Sequence, residues 1–240
     1  MKKIDKSSEL LWIFGIIFVA LGVAICSKAD LGVSMIAAPA FVLYDAVRNI
    51  WDSFSVGMVE YIIQGILLVL LCIIIRKFHW RFLFAFAVAV IYGYVLDFFL
   101  WILGGISFDT IAVRYAMLIV GDVITAFGVA CFFKTYMPLQ VYELFVAELT
   151  RSFKLDISKT KWCFDISLLA ISIVLALTLF GDVKTFDWIT ITYASYHSIG
   201  LGTLITTAIN SPLIALMLKL VDRVFIPVPR FEKLRNLINA

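Results

Sequence analysis

Asp122 stands about halfway along an apolar run from 111 to 133, and a helix built on that run buries a carboxylate far from either end. An acid at such depth in a bilayer costs several kcal/mol and usually moves a proton, ligates a cation or balances a substrate amine. A structural hydrogen bond or an ion pair with Lys28 or Lys134 is the alternative reading. Asp97, in IYGYVLDFF, lies deep in a second apolar run, one turn beyond Gly93. Asn210, Ser211 and Pro212 interrupt a third, where proline frees backbone groups that only a protein-lined or watery interior tolerates. Glu60 and Asp165 each open an apolar run and are 105 residues apart, which makes them either hydrated interfacial acids or a pair of gate carboxylates. Glu143 falls in a short polar stretch, TYMPLQVYELFVAELT. Lys28 and Lys134 end long apolar runs, either snorkelling to an interface or attracting anions beside helix N-termini.

Catalysis finds little support in these residue types. Two histidines, His79 and His197, are far apart in the chain, and no HExxH, GxSxG or phosphate-loop pattern occurs. Cys26, Cys72, Cys131 and Cys163 lie in apolar runs without CxxC or metal-type spacing and read as small buried hydrophobes. The expectation is a chain with no catalytic residue, no metal and no cofactor, and not an enzyme. Two facing acids, as in intramembrane aspartyl proteolysis, are the one catalytic arrangement that Asp97 and Asp122 leave open.

The elements that must position these residues follow from composition. The 240 residues are 63% hydrophobic and 15% charged, with a mean hydropathy of +1.03, whereas about a quarter of a soluble domain is charged. This is an all-α membrane protein whose partner is the lipid bilayer. A net charge of only +3 makes nucleic acid an unsuitable partner. Six stretches reach the roughly 20 apolar residues a crossing needs, at 10–27, 56–75, 80–104, 111–133, 161–181 and 196–221. The first follows Lys2, Lys3 and Lys6 as a signal peptide would, yet it lacks an A-x-A site and reads as a permanent helix. Two shorter stretches, 31–48 and 135–150, follow the first and fourth crossings. Pro138, Gln140, Glu143 and Glu148 make the second too polar to face lipid.

Basic residues test that reading. With six crossings and both termini inside, 14 of the 20 fall in inner segments, including Arg76, Lys77, Arg81, Arg151, Lys154, Arg223, Arg230, Lys233 and Arg235. If the short stretches also spanned, Arg76, Lys77 and Arg81 would lie outside, against the positive-inside rule. Trp12, Trp80 and Trp162 then mark inner ends, and Trp51, Trp101 and Trp188 outer ends.

The stretch GIIFVALGVAICSK (15–28) returns as GDVITAFGVACFFK (121–134), with six identities in fourteen positions at an offset of 106. A repeat of half the chain decides architecture. It divides one integral membrane domain into residues 1–109 and 110–240. Three crossings per half make the repeats inverted, each with a short re-entrant or interfacial helix after its first crossing, a plan recurrent among secondary transporters. Gly15 and Gly22 share one helical face, as do Gly121 and Gly128, which suits tight helix packing or a face along a path. The halves differ where Ile16 matches Asp122.

The stretch ALGVAICSKADLGVS and the later GTLITTAINSPLIALML resemble motifs of the YczE/YitT-type bacterial integral membrane proteins. Met35 replaces a proline usual there, Thr206 an asparagine and Ser211 a glycine before Pro212. The resemblance covers essentially the whole chain and implies a membrane protein with a presumed transport role. The expected function is a small-solute secondary transporter of the cytoplasmic membrane working by alternating access, proton or cation coupled, alone, as a homo-oligomer or with a membrane partner. A non-transporting, ligand-capturing or accessory subunit is the alternative.

Overall fold

A computed structural model of the chain describes residues 4–48, 50, 51, 53–180, 195, 198–228, 230 and 231. Lys2, Lys3, Trp188, His197, Lys233 and Arg235 lie outside the described residues, as does the stretch between 181 and 194.

The order is β1 (Ile4–Ser7), α1 (Ser8–Ala29), α2 (Ala38–Val47), α3 (Val56–Ile75), α4 (Arg81–Ile102), α5 (Ile111–Phe133), α6 (Val141–Phe153), α7 (Ile157–Phe180), α8 (Leu201–Val224) and β2 (Phe225–Val228). Six of these helices are long and apolar enough to cross a bilayer, and they match the six expected stretches to within a few residues. The chain is a multi-pass helical membrane protein. Helices α2 and α6, of 10 and 13 residues, extend only about 15 and 20 Å at 1.5 Å per residue, short of a hydrocarbon core of about 30 Å. Local sequence sets these limits. Pro39 starts α2 in the first turn, where its missing N–H is harmless. Ser55 caps α3 by accepting from Met58 N at 3.2 Å. Asp30, Arg76 and Lys154 end α1, α3 and α6 in the left-handed conformation.

Helices α1 and α5 form the largest interface and cross antiparallel. Gly22 lies on Gly121 and Gly15 on Gly128, so closely that a Cβ at Gly121 would come within 2.8 Å of the Gly22 carbonyl and one at Gly128 within 2.9 Å of the Gly15 carbonyl. Glycine is the only side chain that permits this approach. The same device joins α3 to α4, where a Cβ at Gly93 would meet the Gly57 carbonyl at 2.7 Å. Around the α1–α5 pair, α4 packs on α1 and α8 on α5. Helix α2 leans on α7, and α6 leans on α3. Among the described residues α7 and α8 share no extended interface, and both keep most of their apolar surface outward.

Two features differ from the reading of the sequence. Strands β1 and β2, absent from that reading, pair in parallel, Ile4 opposite Phe225, beside an otherwise all-helical fold. Because this ribbon ties the start of α1 to the end of α8, both lie at one face of the molecule, as an even number of crossings requires. Helix α8 also runs through Pro212 without a break. A proline inside a helix removes one backbone hydrogen bond, a cost that a continuous helix can bear.

Candidate functional site

Polar groups from six helices and both linkers converge on a cavity of about 40 Å³, room for roughly three waters. Glu60 reaches it from α3, Tyr92 from α4, Thr125 from α5, Tyr142 and Glu143 from α6, Lys161 from α7 and Asn210 from α8. Ser34 and Gln140 come from the linkers that precede the two short helices. Glu60 is 2% exposed, Tyr142 3% and Gln140 5%.

These positions are not scattered through the two halves. Val19 and Thr125, Val23 and Val129, Ser34 and Gln140, Ile36 and Tyr142, and Ala37 and Glu143 all line the cavity, and each pair is separated by the repeat offset of 106. Four of the five pairs are more polar in the second half. The first half returns polarity through Glu60, whose neighbour one turn on, Gln64, is wholly buried and accepts from Val141 N at 3.3 Å.

Several of the polar groups at the cavity are poorly satisfied. Gln140 Nε2, Glu143 Oε2 and Asn210 Oδ1 are buried with no hydrogen-bond partner among the described residues, while Tyr142 and Gln64 stand beside Glu60 as its donors. Folded interiors leave few such groups, because each costs about 1–3 kcal/mol. Lys161 is the one ammonium at the cavity, and its Nζ lies 3.5 Å from Asp165 Oδ2 one turn along α7. Glu143 is outside the six long helices; burial pushes its carboxyl above the ordinary value, the Lys161 ammonium pulls it down and Asp165 pushes it up again. Among the described residues no cluster of histidine, cysteine and acidic side chains is arranged to hold a metal ion.

Of the residues expected from sequence, Glu60, Glu143 and Asn210 meet at the cavity, with Asp165 beside it through Lys161. Glu60 is enclosed rather than hydrated at an interface, because α6 covers it. Asp122 is 2% exposed and has an unpartnered Oδ2, but it follows Gly121 at the α1–α5 contact and does not line the cavity. Asp97 is occupied elsewhere: its Oδ2 accepts from Ser55 Oγ at 2.6 Å and its Oδ1 from Gly57 N at 2.8 Å, so it holds the start of α3. Lys134 pairs with Asp222 at 2.7 Å, and Lys28 donates to the Gly104 carbonyl at 3.4 Å. Neither faces the start of a short helix.

Sequence reasoning missed Tyr92, Tyr142, Lys161 and Gln64 as neighbours of the site. Gln64, four residues after Glu60 in an apolar helix, carried a usable signal, since the spacing places both on one face. Glu9 was missed too. It accepts from Ser7, from Tyr136 and from the backbone N–H groups of Arg230 and Phe231, so one carboxylate ties the start of α1 to the C-terminal segment.

Six helices long and apolar enough to cross a bilayer, gathered around a cavity that several buried polar groups line, define a polytopic membrane protein. Residues 6–219 match the family described as "Family of unknown function (DUF6198)", and the chain belongs to that family. No curated protein and no solved structure matches the chain.

Proposed function

We propose that the protein is a small-solute secondary transporter of the cytoplasmic membrane, with two inverted repeats that alternately expose the central cavity to either side. The observation that carries this reading is the lining of the cavity by equivalent positions of both halves at the 106-residue offset. A site on a pseudo-two-fold axis is where inverted-repeat transporters bind their solute. The glycine contacts support the same axis: exchanging the halves converts the Gly15–Gly128 contact into Gly121–Gly22. So does the exchange of short helices, with α2 on the second crossing of the other half and α6 on α3. Helices α2 and α6 are then the re-entrant pieces, and their linkers carry Ser34 and Gln140 to the site. The resemblance to YczE/YitT-type proteins agrees with transport, and the basic residues favour cytoplasmic termini.

The test is flux in proteoliposomes of the full chain, screened over ammonium, carboxylate and neutral solutes by solute-dependent currents or isotope uptake. A transported solute whose flux falls at least tenfold in Glu143→Gln and in Glu60→Gln, with unchanged elution on gel filtration, is the expected result. Flux untouched in both variants removes the cavity from the path. Saturable binding without flux would instead assign the alternative role, a ligand-capturing membrane subunit.

A further inference from the structure

We propose that the cavity takes a small monovalent cation bearing N–H groups, an ammonium or guanidinium, with Glu60 and Glu143 as its counter-ions and Tyr92 and Tyr142 as aromatic walls. This rests on the central cavity being the solute site and names the class of solute.

The charge inventory comes first. Two carboxylates line the cavity against one ammonium, and that ammonium already has Asp165 as a partner 3.5 Å away. With the acids ionised the cavity carries a net negative charge, since Lys161 offsets Glu143 only in part and is shared with Asp165, so an anion is disfavoured. The hydrogen-bond inventory points the same way. Glu143 Oε2 and Asn210 Oδ1 are buried acceptors without donors among the described residues, and Glu60 has only the neutral donors Tyr142 and Gln64 beside it. A ligand with several N–H groups satisfies them together, and a charge-assisted bond to each carboxylate is about twice as strong as a neutral one. Tyr92 and Tyr142 line the same cavity and bring aromatic surface on which an organic cation gains. The space is that of roughly three waters, which fits a cation of a few heavy atoms and excludes larger amines in this conformation.

Lys161 gives the proposal a second, independent handle. Its side chain brings an ammonium to the same cavity from α7, so the site is already built around this chemistry. In the absence of solute Lys161 supplies the positive charge; when a cation enters, Lys161 is left to Asp165 alone. It therefore competes with the solute, and its removal strengthens binding.

Calorimetric titration of the purified full-length protein at constant ionic strength tests this, using millimolar methylammonium and guanidinium, with urea as the neutral shape-match of guanidinium and acetate as the anion. Saturable binding of the cations and none of urea or acetate is expected. Affinity falls about tenfold or more in Glu143→Gln, is kept in Tyr142→Phe, which keeps the aromatic wall, and rises in Lys161→Met. Urea or acetate binding as tightly as the cations, absence of cation binding, or cation affinity unchanged in both Glu60→Gln and Glu143→Gln overturns the proposal. The two readings fail separately. Cation binding that meets these criteria without flux upholds the site and removes transport, while flux of a neutral or anionic solute lost in Glu143→Gln upholds transport and overturns the cation class.

Discussion

At the scale of single residues, the protein separates acids that hold structure from acids that are held in reserve. Asp97 and Glu9 are fully engaged, the first with Ser55 and Gly57, the second with Ser7, Tyr136 and two backbone N–H groups. Glu143 keeps a buried oxygen without a partner among the described residues, and Glu60 has only the neutral Tyr142 and Gln64 beside it. Substitution should reveal this difference. Asp97→Ala removes a helix cap and lowers stability by about 1–2 kcal/mol, read as a lower melting temperature in detergent, while flux per folded molecule is retained. Glycine contacts make a sharper case. A Cβ at Gly121 would fall 2.6 Å from Cys26 Sγ and 2.8 Å from the Gly22 carbonyl, an overlap costing about 1–3 kcal/mol. Gly121→Ala is therefore expected to lower the melting temperature, whereas Gly104→Ala, with nothing within 4 Å of the added atom, leaves it unchanged.

At the scale of elements, the linkers matter more than their length suggests. Residues 30–34 are sewn to the segment before α8: Ser195 N donates to the Asp30 carbonyl at 2.9 Å, Val33 N to the Ser198 carbonyl at 3.0 Å and Gly202 N to the Leu31 carbonyl at 2.8 Å. Gly32 turns with φ +106°, and a Cβ there would meet Gly200 N at 2.6 Å. Gly32→Ala thus faces strain and overlap at once and should detach the linker that carries Ser34. Faster amide exchange of residues 31–34 and the first turn of α8 is the expected signature, with the α1–α5 pair unaffected. On the other linker, Trp12 Nε1 donates to the Pro138 carbonyl at 3.1 Å. The Lys134–Asp222 pair is largely open to solvent, and such pairs contribute about 0–1 kcal/mol, so Lys134→Gln should hardly move the melting temperature.

At the scale of the whole molecule, the α1–α5 pair is the buried spine and the remaining crossings present apolar faces outward. The fold is not equally closed on its two sides. Helices α3 and α4 are sealed at Gly57 and Gly93, while α7 and α8 have no comparable seam among the described residues. Orientation is open to direct measurement. In a background lacking Cys163, His79→Cys should resist an impermeant thiol reagent applied to intact cells and Asp109→Cys should react, because the two sites flank α4 and the basic residues around Arg76 mark the inner side. The opposite pattern would reverse the orientation and leave the packing intact.

Much of this architecture was legible in the chain. Crossing lengths depend on how many consecutive apolar residues occur, and the repeat depends on local matches, so both are one-dimensional properties. The face shared by Gly15 and Gly22 follows from helical spacing alone. Which acids meet was not legible. Asp122 looked central because it is deepest along its own helix, yet depth along an axis says nothing about the direction a side chain takes around it. Glu60 looked peripheral because it begins its helix, yet α6 folds over that end and encloses it. Sequence by itself determined that the chain carries six helices long and apolar enough to span a membrane. Only the tertiary structure decided that Glu60, Glu143, Tyr142 and Asn210 share one cavity, because convergence depends on helix rotation and on the docking of two short helices, and neither is written in the spacing of any single segment.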